Sequence, residues 1–149
     1  MKILSIKKSR DFQNIKNRGK KFVCPTLILT RIEVSQAYNF DTKNNLNAKI
    51  FSRIGYVITK TIGNAVVRNL VKRRLKSAIT ALNNHNFTDK EPESKAKKDV
   101  ILPNFDYVII ARKPIINKDF TEITRDLKFC FTKISKITES SKNTENNTK

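Results

Sequence analysis

The feature that most constrains this chain is a strongly basic amphipathic segment that follows a Gly63-Asn64 break. At about 100° per residue, its apolar residues fall on one side of a helix, and they are Val67, Val71, Leu75, Ala78 and Leu82. The opposite arc carries Arg68, Asn69, Lys72, Arg73 and Lys76. With Asn64 as the N-cap, we expect a helix from Ala65 to about Asn83 that packs one face on a core and exposes the other.

The cations of this helix are spaced so that they repel one another. Arg68, Lys72 and Lys76 recur every four residues, which places them about 6 Å apart along the helix axis. Each like-charge pair at this spacing costs an isolated helix roughly 0.2–0.5 kcal/mol. A polyanion bound along the face would remove that cost.

Composition points to the same kind of partner. The chain has 149 residues and a formal net charge of +18, from 31 Lys+Arg against 13 Asp+Glu. Such an excess is typical of proteins that bind phosphates, with nucleic acid first and anionic membrane second. The length fits one domain over residues 1–137, with a disordered tail over 138–149. Because no apolar run reaches the length of a spanning helix or a signal peptide, we expect a cytoplasmic protein.

The inventory of reactive side chains excludes several classes of enzyme. Cys24 and Cys130 lie far apart without a CxxC pair, so we expect buried free thiols. The only histidine, His85, lies in a polar, Asn-rich stretch that is typical of a solvated loop. Nucleophilic triads and zinc sites are therefore excluded. Scattered aspartates at the starts of predicted elements are typical of caps and turns, so we assign no catalytic and no metal-binding residue.

The N-terminal part of the chain predicts a short helix followed by two strands. Ser9 is the expected N-cap of a helix that Gly19 ends, with Phe12 and Ile15 on its inner face. The β-branched and aliphatic pattern of residues 22–34 predicts one strand, whose start is at a sheet edge because of Pro25. A polar stretch around residues 41–49 predicts a hairpin loop, and residues 50–59 predict the second strand.

The C-terminal part predicts a loop, a buried strand and a helix. Residues 83–104 are polar and charged, so we expect a mobile surface loop. Residues 106–112 form a continuous apolar run that predicts a strand in the middle of a sheet, ended by Pro114. Residues 119–137 predict an amphipathic helix. The order of elements indicates an α+β fold or a two-layer α/β sandwich, in which the basic helix connects strands that can lie parallel.

The basic segment also carries a specific motif. Residues 62–73 read IGNAVVRNLVKR, which resembles the IGNAVxRNxxKR signature of the bacterial ribonuclease P protein subunit. Three further matches occur in the order expected of that family: Asp11-Phe12 with Gly19 after it, Arg53-Ile54-Gly55, and residues 106–112. The resemblance covers residues 9–136.

The resemblance implies a non-catalytic subunit of a ribozyme that removes the 5′ leader from precursor tRNA. Catalysis and magnesium would belong to the RNA, and the protein alone would bind no cofactor. The small mixed sheet would have a left-handed crossover through the basic helix, against the general preference for right-handed crossovers. The implied contacts to the catalytic RNA are Lys60, Arg68, Asn69, Lys72, Arg73 and Lys76. A cleft between the first helix and the sheet would hold the leader of precursor tRNA, at Phe12, Lys16, Ile28 and Thr30.

The sequence departs from the family pattern at three positions that bear on RNA binding. Leu70 stands where many members carry a third arginine, so one phosphate contact is either missing or taken over by Arg74. Lys16 and Thr30 stand where aromatic residues occur, so we expect the cleft to hold the leader more through its backbone than through its bases. Two other functions stay open at this point, a metal-dependent endonuclease that acts alone and a structural ribosome-associated protein. No homo-oligomer is indicated.

Overall fold

Five strands form one mixed sheet in the spatial order β1-β4-β5-β3-β2. The computed structural model describes residues 2–33, 51–84 and 100–146. The strands are β1 (Lys2–Ser5), β2 (Lys20–Val23), β3 (Leu27–Glu33), β4 (Phe51–Val57) and β5 (Phe105–Ala111). The helices are α1 (Ser9–Arg18), α2 (Ala65–Asn83), a 3-10 helix (Lys113–Asn117) and α3 (Phe120–Asn146). These elements confirm the predicted α+β class.

The central strand is β5, as its apolar run predicts. It pairs parallel with β4 on one side and antiparallel with β3 on the other. Because α2 lies between β4 and β5 in the chain, the basic helix is the crossover between two neighbouring parallel strands. That connection was predicted. Its left-handed sense stays a prediction of the family resemblance.

The two faces of the sheet hold two separate apolar clusters. Successive residues of β5 point to opposite faces, so Tyr107 and Ile109 join the cluster beneath α2 and α3. Val108 joins the second cluster, with Ile15 of α1 and the partly buried Phe12. The predicted inner face of α1 is therefore confirmed. Helix α1 lies on one face of the sheet, and α2 and α3 lie on the other.

The predicted strand over residues 22–34 is confirmed over β3 but wrong at its start, because the structure has a hairpin there. Strands β2 and β3 pair antiparallel, and Cys24, Pro25 and Thr26 form the turn between them. Proline lacks an N–H for a strand ladder, which explains the break at this point. The pairing expected between β3 and β4 is also wrong, since β5 lies between them. The hairpin loop predicted at residues 41–49 lies outside the described residues.

Helix ends follow the predictions in part. Asn64 caps α2 as predicted, since its Oδ1 accepts a hydrogen bond from Val67 N at 3.0 Å. Helix α1 ends before Gly19 as predicted, but Lys8 and not Ser9 is the N-cap residue, and it makes no side-chain cap bond. Helix α3 continues to Asn146, so the tail predicted to be disordered from residue 138 is helical as far as that residue.

The end of the predicted 83–104 loop differs from the prediction, because it contains a buried residue. Most of the predicted 83–104 loop, residues 85–99, lies outside the described part, but Ile101 near its end is 3% exposed and belongs to the main core.

Cys24 and Cys130 are buried as expected, but they form a disulfide and are not free thiols. This bond joins the β2–β3 turn to α3 across the core.

Candidate nucleic-acid interface

The turn before α2 fixes where the basic helix begins. Ile62 is 3% exposed and anchors the turn in the core. Gly63 follows with φ at +153°, a backbone conformation that residues with a Cβ rarely adopt. Asn64 then caps the first turn of the helix. Together these three residues hold the N-terminal end of α2, and the exposed Lys60 just before it, in one position.

Helix α2 has the two faces that its sequence predicts. Its buried residues are Val71, Leu75, Ala78, Ile79 and Leu82, and Val67 packs partly buried against the same core. Asn69, Lys72, Arg73 and Lys76 are exposed on the opposite side. The structure therefore brings together on one surface the predicted RNA contacts of this helix. Full burial of Leu75 and Ala78 makes that surface rigid.

The charge of α2 is not balanced within the helix. Its sequence, AVVRNLVKRRLKSAITALN, contains only cations and no carboxylate. Arg53 forms ion pairs with Asp11 and Asp106, but these lie on the other face of the sheet. The cations of α2 therefore create a positive field that points away from the core.

Arg68 differs from the other cations because it is half-buried. Its Nε is buried and has no hydrogen-bond partner among the described residues. A buried donor without an acceptor costs about 1–3 kcal/mol. A phosphate oxygen would satisfy this donor only if the half-buried Arg68 side chain turned outward, because the Nε itself is buried.

Leu70 and Arg74 lie on the opposite flank of α2 from Arg68, one helical turn apart. Both are half-buried. Nη1 of Arg74 donates a hydrogen bond to the carbonyl oxygen of Lys118 at 3.3 Å, just before α3. Arg74 thus lies on the correct flank to replace the missing arginine at position 70, but its guanidinium is anchored to a loop.

The cleft that the family resemblance assigns to the leader would lie between α1 and the sheet. Phe12 of α1 is partly buried there, and its ring lies directly over Gly55 of β4. A Cβ at position 55 would overlap Phe12 Cε1 and lie 2.6 Å from Phe12 Cζ. Glycine is therefore required for α1 to approach the sheet this closely. Lys16, one turn after Phe12, is exposed.

A row of apolar residues continues from Phe12 across the same face of the sheet. Val57 pairs with Ile110, Ile110 with Ile28, and Ile28 with Val23. The first three are half-buried and Val23 is 56% exposed. The row forms an apolar surface beside α1. We call this surface the shelf, and its residues are Phe12, Val57, Ile110, Ile28 and Val23. Sequence reasoning found only Phe12 and Ile28 of this set, because the register that joins them is set by pairings between distant segments.

Thr30 does not line this shelf. It is 0% exposed, because the C-terminal end of α1 lies over it. A Cβ at Gly19 would be 2.6 Å from the Thr30 methyl group. A side chain that is fully covered cannot contact a leader, so the structure separates Thr30 from the exposed Lys16.

An ion-pair cluster that sequence reasoning missed holds α1 in place. Arg53 of β4 binds the fully buried Asp106 of β5 at 2.7 Å and reaches Asp11 of α1 at 3.5 Å. From the sequence, Arg53 was only part of a family match within the second predicted strand. The sequence does contain a signal for this cluster: Asp106 lies in the predicted buried strand and Asp11 lies next to Phe12. Because buried charges are normally paired, these carboxylates required a cationic partner.

The described ranges contain neither a cluster of metal ligands nor a membrane-spanning helix. No group of three or more His, Cys, Asp or Glu side chains there could hold a metal ion. None of the helices described is both long enough and apolar enough to cross a membrane.

Comparison with known proteins agrees with the motif. The family model for ribonuclease P matches residues 1–135. A ribonuclease P protein component from Listeria innocua is 34% identical over 122 residues, which cover 82% of this chain and 80% of that protein.

Two solved structures share the fold. The structure of the Staphylococcus aureus RNase P protein has a TM-score of 0.62 at 23% identity and covers 88% of this chain and 94% of its own. The RNase P protein from Thermotoga maritima has a TM-score of 0.58 at 23% identity, with 83% and 90% covered. The match of the family model over nearly the whole chain, with relatives of this similarity, shows that the chain belongs to the ribonuclease P protein family.

Proposed function

We propose that this protein, a component of ribonuclease P by family, binds the catalytic RNA through α2 and the 5′ leader of precursor tRNA through the shelf beside α1. The RNA then performs the magnesium-dependent cleavage that removes the leader, in the cytoplasm. In this division of roles, α2 and the shelf lie on opposite faces of one sheet, so the protein can contact both RNAs at the same time.

The observation that carries this proposal is the uncompensated cationic surface of α2. Four polar or cationic residues of one rigid face are exposed, and Arg68 adds a buried Nε without a partner in the described part of the chain. Phosphate contacts of this kind position an RNA without reading its sequence. Lys60 lies at the start of the same surface, and we assign it to the edge of the surface that contacts the catalytic RNA.

The shelf suits a single strand better than a duplex. Its half-buried aliphatic side chains offer flat apolar area, while Lys16 at its edge offers a charge for the strand's backbone. Only Phe12 supplies an aromatic ring there, and stacking of a base on an aromatic ring contributes about 1–3 kcal/mol. We therefore assign leader binding to Phe12, Lys16 and Ile28, with little selection among bases.

We assign no residue of this chain a role in breaking the phosphodiester bond. The side chains that the structure describes do not fit a protein-only magnesium site, because no three or more of them with metal-binding groups come together. Asp106 and Asp11 are instead neutralised by Arg53. Magnesium is thus assigned to the RNA partner.

Reconstitution tests this proposal against both alternatives. Purified protein is added to bacterial ribonuclease P RNA and precursor tRNA at low magnesium, where we expect restored 5′ cleavage. Cleavage by the protein and magnesium without RNA would instead support an independent endonuclease. If the protein leaves cleavage by the RNA unchanged, the proposal is wrong and a ribosome-associated role is favoured.

A further inference from the structure

An open groove of about 310 Å³ lies between the edge strand β1 and helix α2, on the α2 face of the sheet. Ser5 of β1 forms part of one wall, and Lys76, Thr80 and Asn83 of α2 form the other. Tyr56 of β4 also lines it. The volume is at the lower end of the roughly 300–1,000 Å³ range of ligand pockets, so the groove suits one small planar group.

The groove combines an aromatic wall with a cation. Nζ of Lys76 lies over the Tyr56 ring, 5.9 Å from its centroid. Burial raises the pKa of Tyr56 to about 12, so its phenol stays protonated and neutral at physiological pH. The hydroxyl group of Thr80 donates to the Lys76 carbonyl oxygen, which leaves its lone pairs free to accept a hydrogen bond.

The charge of the groove selects an anionic occupant. None of the lining residues is acidic, and Lys76 is the last member of the cation row that runs through Arg68 and Lys72. A strand that follows this row with its phosphates reaches the groove at Lys76. Unpaired bases of RNA are typically bound by stacking on aromatic rings and by hydrogen bonds to polar side chains.

We propose that this groove binds one unpaired nucleotide of the RNA that lies along α2, with its base against Tyr56 and its phosphate at Lys76. This inference rests on the proposed function of α2 and adds to it a specific contact with a base. Thr80 and Ser5, on the two walls, then border the base without carrying charge.

Filling the groove without changing the charge tests the inference. Thr80→Phe places an aromatic side chain where the base would lie. Thr132→Phe is the matched control, because Thr132 is also exposed, lies on α3, and makes the same hydrogen bond to the carbonyl four residues earlier. Affinity for ribonuclease P RNA is measured by filter binding over a range of salt concentrations, with thermal unfolding to verify the fold of each variant.

We expect Thr80→Phe to weaken RNA binding about tenfold, as the loss of one stacked base implies, with an unchanged slope of log K against log salt. Thr132→Phe should leave both unchanged. In contrast, Lys72→Gln should reduce the slope by roughly 0.7, because it removes a phosphate contact.

Ser5→Phe fills the groove from the opposite wall and should reproduce the loss, which keeps the test valid if Thr80→Phe folds poorly. Wild-type affinity in both groove variants, with wild-type protein binding RNA normally, would overturn this inference and leave the proposed function intact. Failure of the wild-type protein to bind the RNA would overturn both.

Discussion

Arg53 holds the fully buried carboxylate of Asp106 with two hydrogen bonds, from Nε to Oδ1 at 3.0 Å and from Nη2 to Oδ2 at 2.7 Å. The two residues are also register partners on β4 and β5, so the ion pair reinforces the parallel pairing that α2 connects. Because Nη1 of Arg53 reaches Asp11, the same guanidinium ties α1 to the sheet. This cluster therefore couples the position of the shelf to the centre of the fold.

Replacement of Asp106 by Asn should destabilise the protein strongly. It leaves the charge of Arg53 without its main partner, and loss of one member of a buried ion pair costs about 3–5 kcal/mol. Since the Arg53 side chain is 22% exposed, we expect a loss in the free energy of unfolding near the lower limit of this range. Urea unfolding of the wild type and the variant measures this loss. Asp119→Asn is the control, because Asp119 accepts a cap bond from Glu122 N and Asn caps equally well; similar losses in both variants would contradict this account.

A methyl group at Gly55 should disturb leader binding through Phe12. In Gly55→Ala the new Cβ would meet the Phe12 ring, and such overpacking costs about 1–3 kcal/mol. In the reconstituted holoenzyme, affinity for precursor tRNA should fall while affinity for mature tRNA, which has no leader, should not change. Gly55→Ala should cost less stability when Phe12 is also replaced by Ala. An equal loss for both tRNAs would show that Phe12 does not act on the leader.

Alkaline pH should weaken the fold through Tyr56. Its pKa is raised to about 12 in the folded protein, against about 10 for an exposed tyrosine. The unfolded chain therefore loses the Tyr56 proton at a lower pH than the folded protein does. As a result, the contribution of Tyr56 to the free energy of unfolding declines as the pH rises from about 10 to 12. Urea unfolding of the wild type and of Tyr56→Phe across this range isolates the effect, since lysine titration is common to both. A constant difference between the two proteins would contradict the predicted shift.

A cation at position 70 should strengthen RNA binding. Leu70→Arg adds a guanidinium one turn before Arg74, whose own side chain is held by Lys118 O. We expect higher affinity for ribonuclease P RNA and a salt slope that is steeper by roughly 0.7. Leu70→Gln is the uncharged control. If Leu70→Arg changes neither quantity, Arg74 already supplies this contact.

Helix α2 was predictable because its signals are local. The Gly63-Asn64 break, the cap and the apolar spacing all lie within one segment, and the structure reproduces them. Strand β5 was predictable for the same reason, since a continuous apolar run is typical of a strand buried on both faces. The motif of α2 identified the family because it is specific and contiguous.

Features built from distant segments could not be predicted. Strand β1 has only four residues, too few for a recognisable period, and its pairing with β4 comes from the tertiary fold. The burial of Thr30 depends on how α1 ends above it, which alternation along β3 does not reveal. The groove at Tyr56 needs three elements, β1, β4 and α2, to meet. The extension of α3 to Asn146 was missed because its last residues lack apolar periodicity.

The most direct test of the central claim is the salt-dependent affinity of the protein for ribonuclease P RNA in two charge-reversal variants. Lys72→Glu/Arg73→Glu reverses the exposed face of α2, and Lys7→Glu/Lys8→Glu makes the same change in net charge at two exposed lysines between β1 and α1. If about four phosphates contact α2, log K of the wild type should fall by roughly 3 per tenfold rise in salt. The account predicts loss of binding in the α2 variant only, with both variants folded. Wild-type affinity and slope in the α2 variant would contradict it.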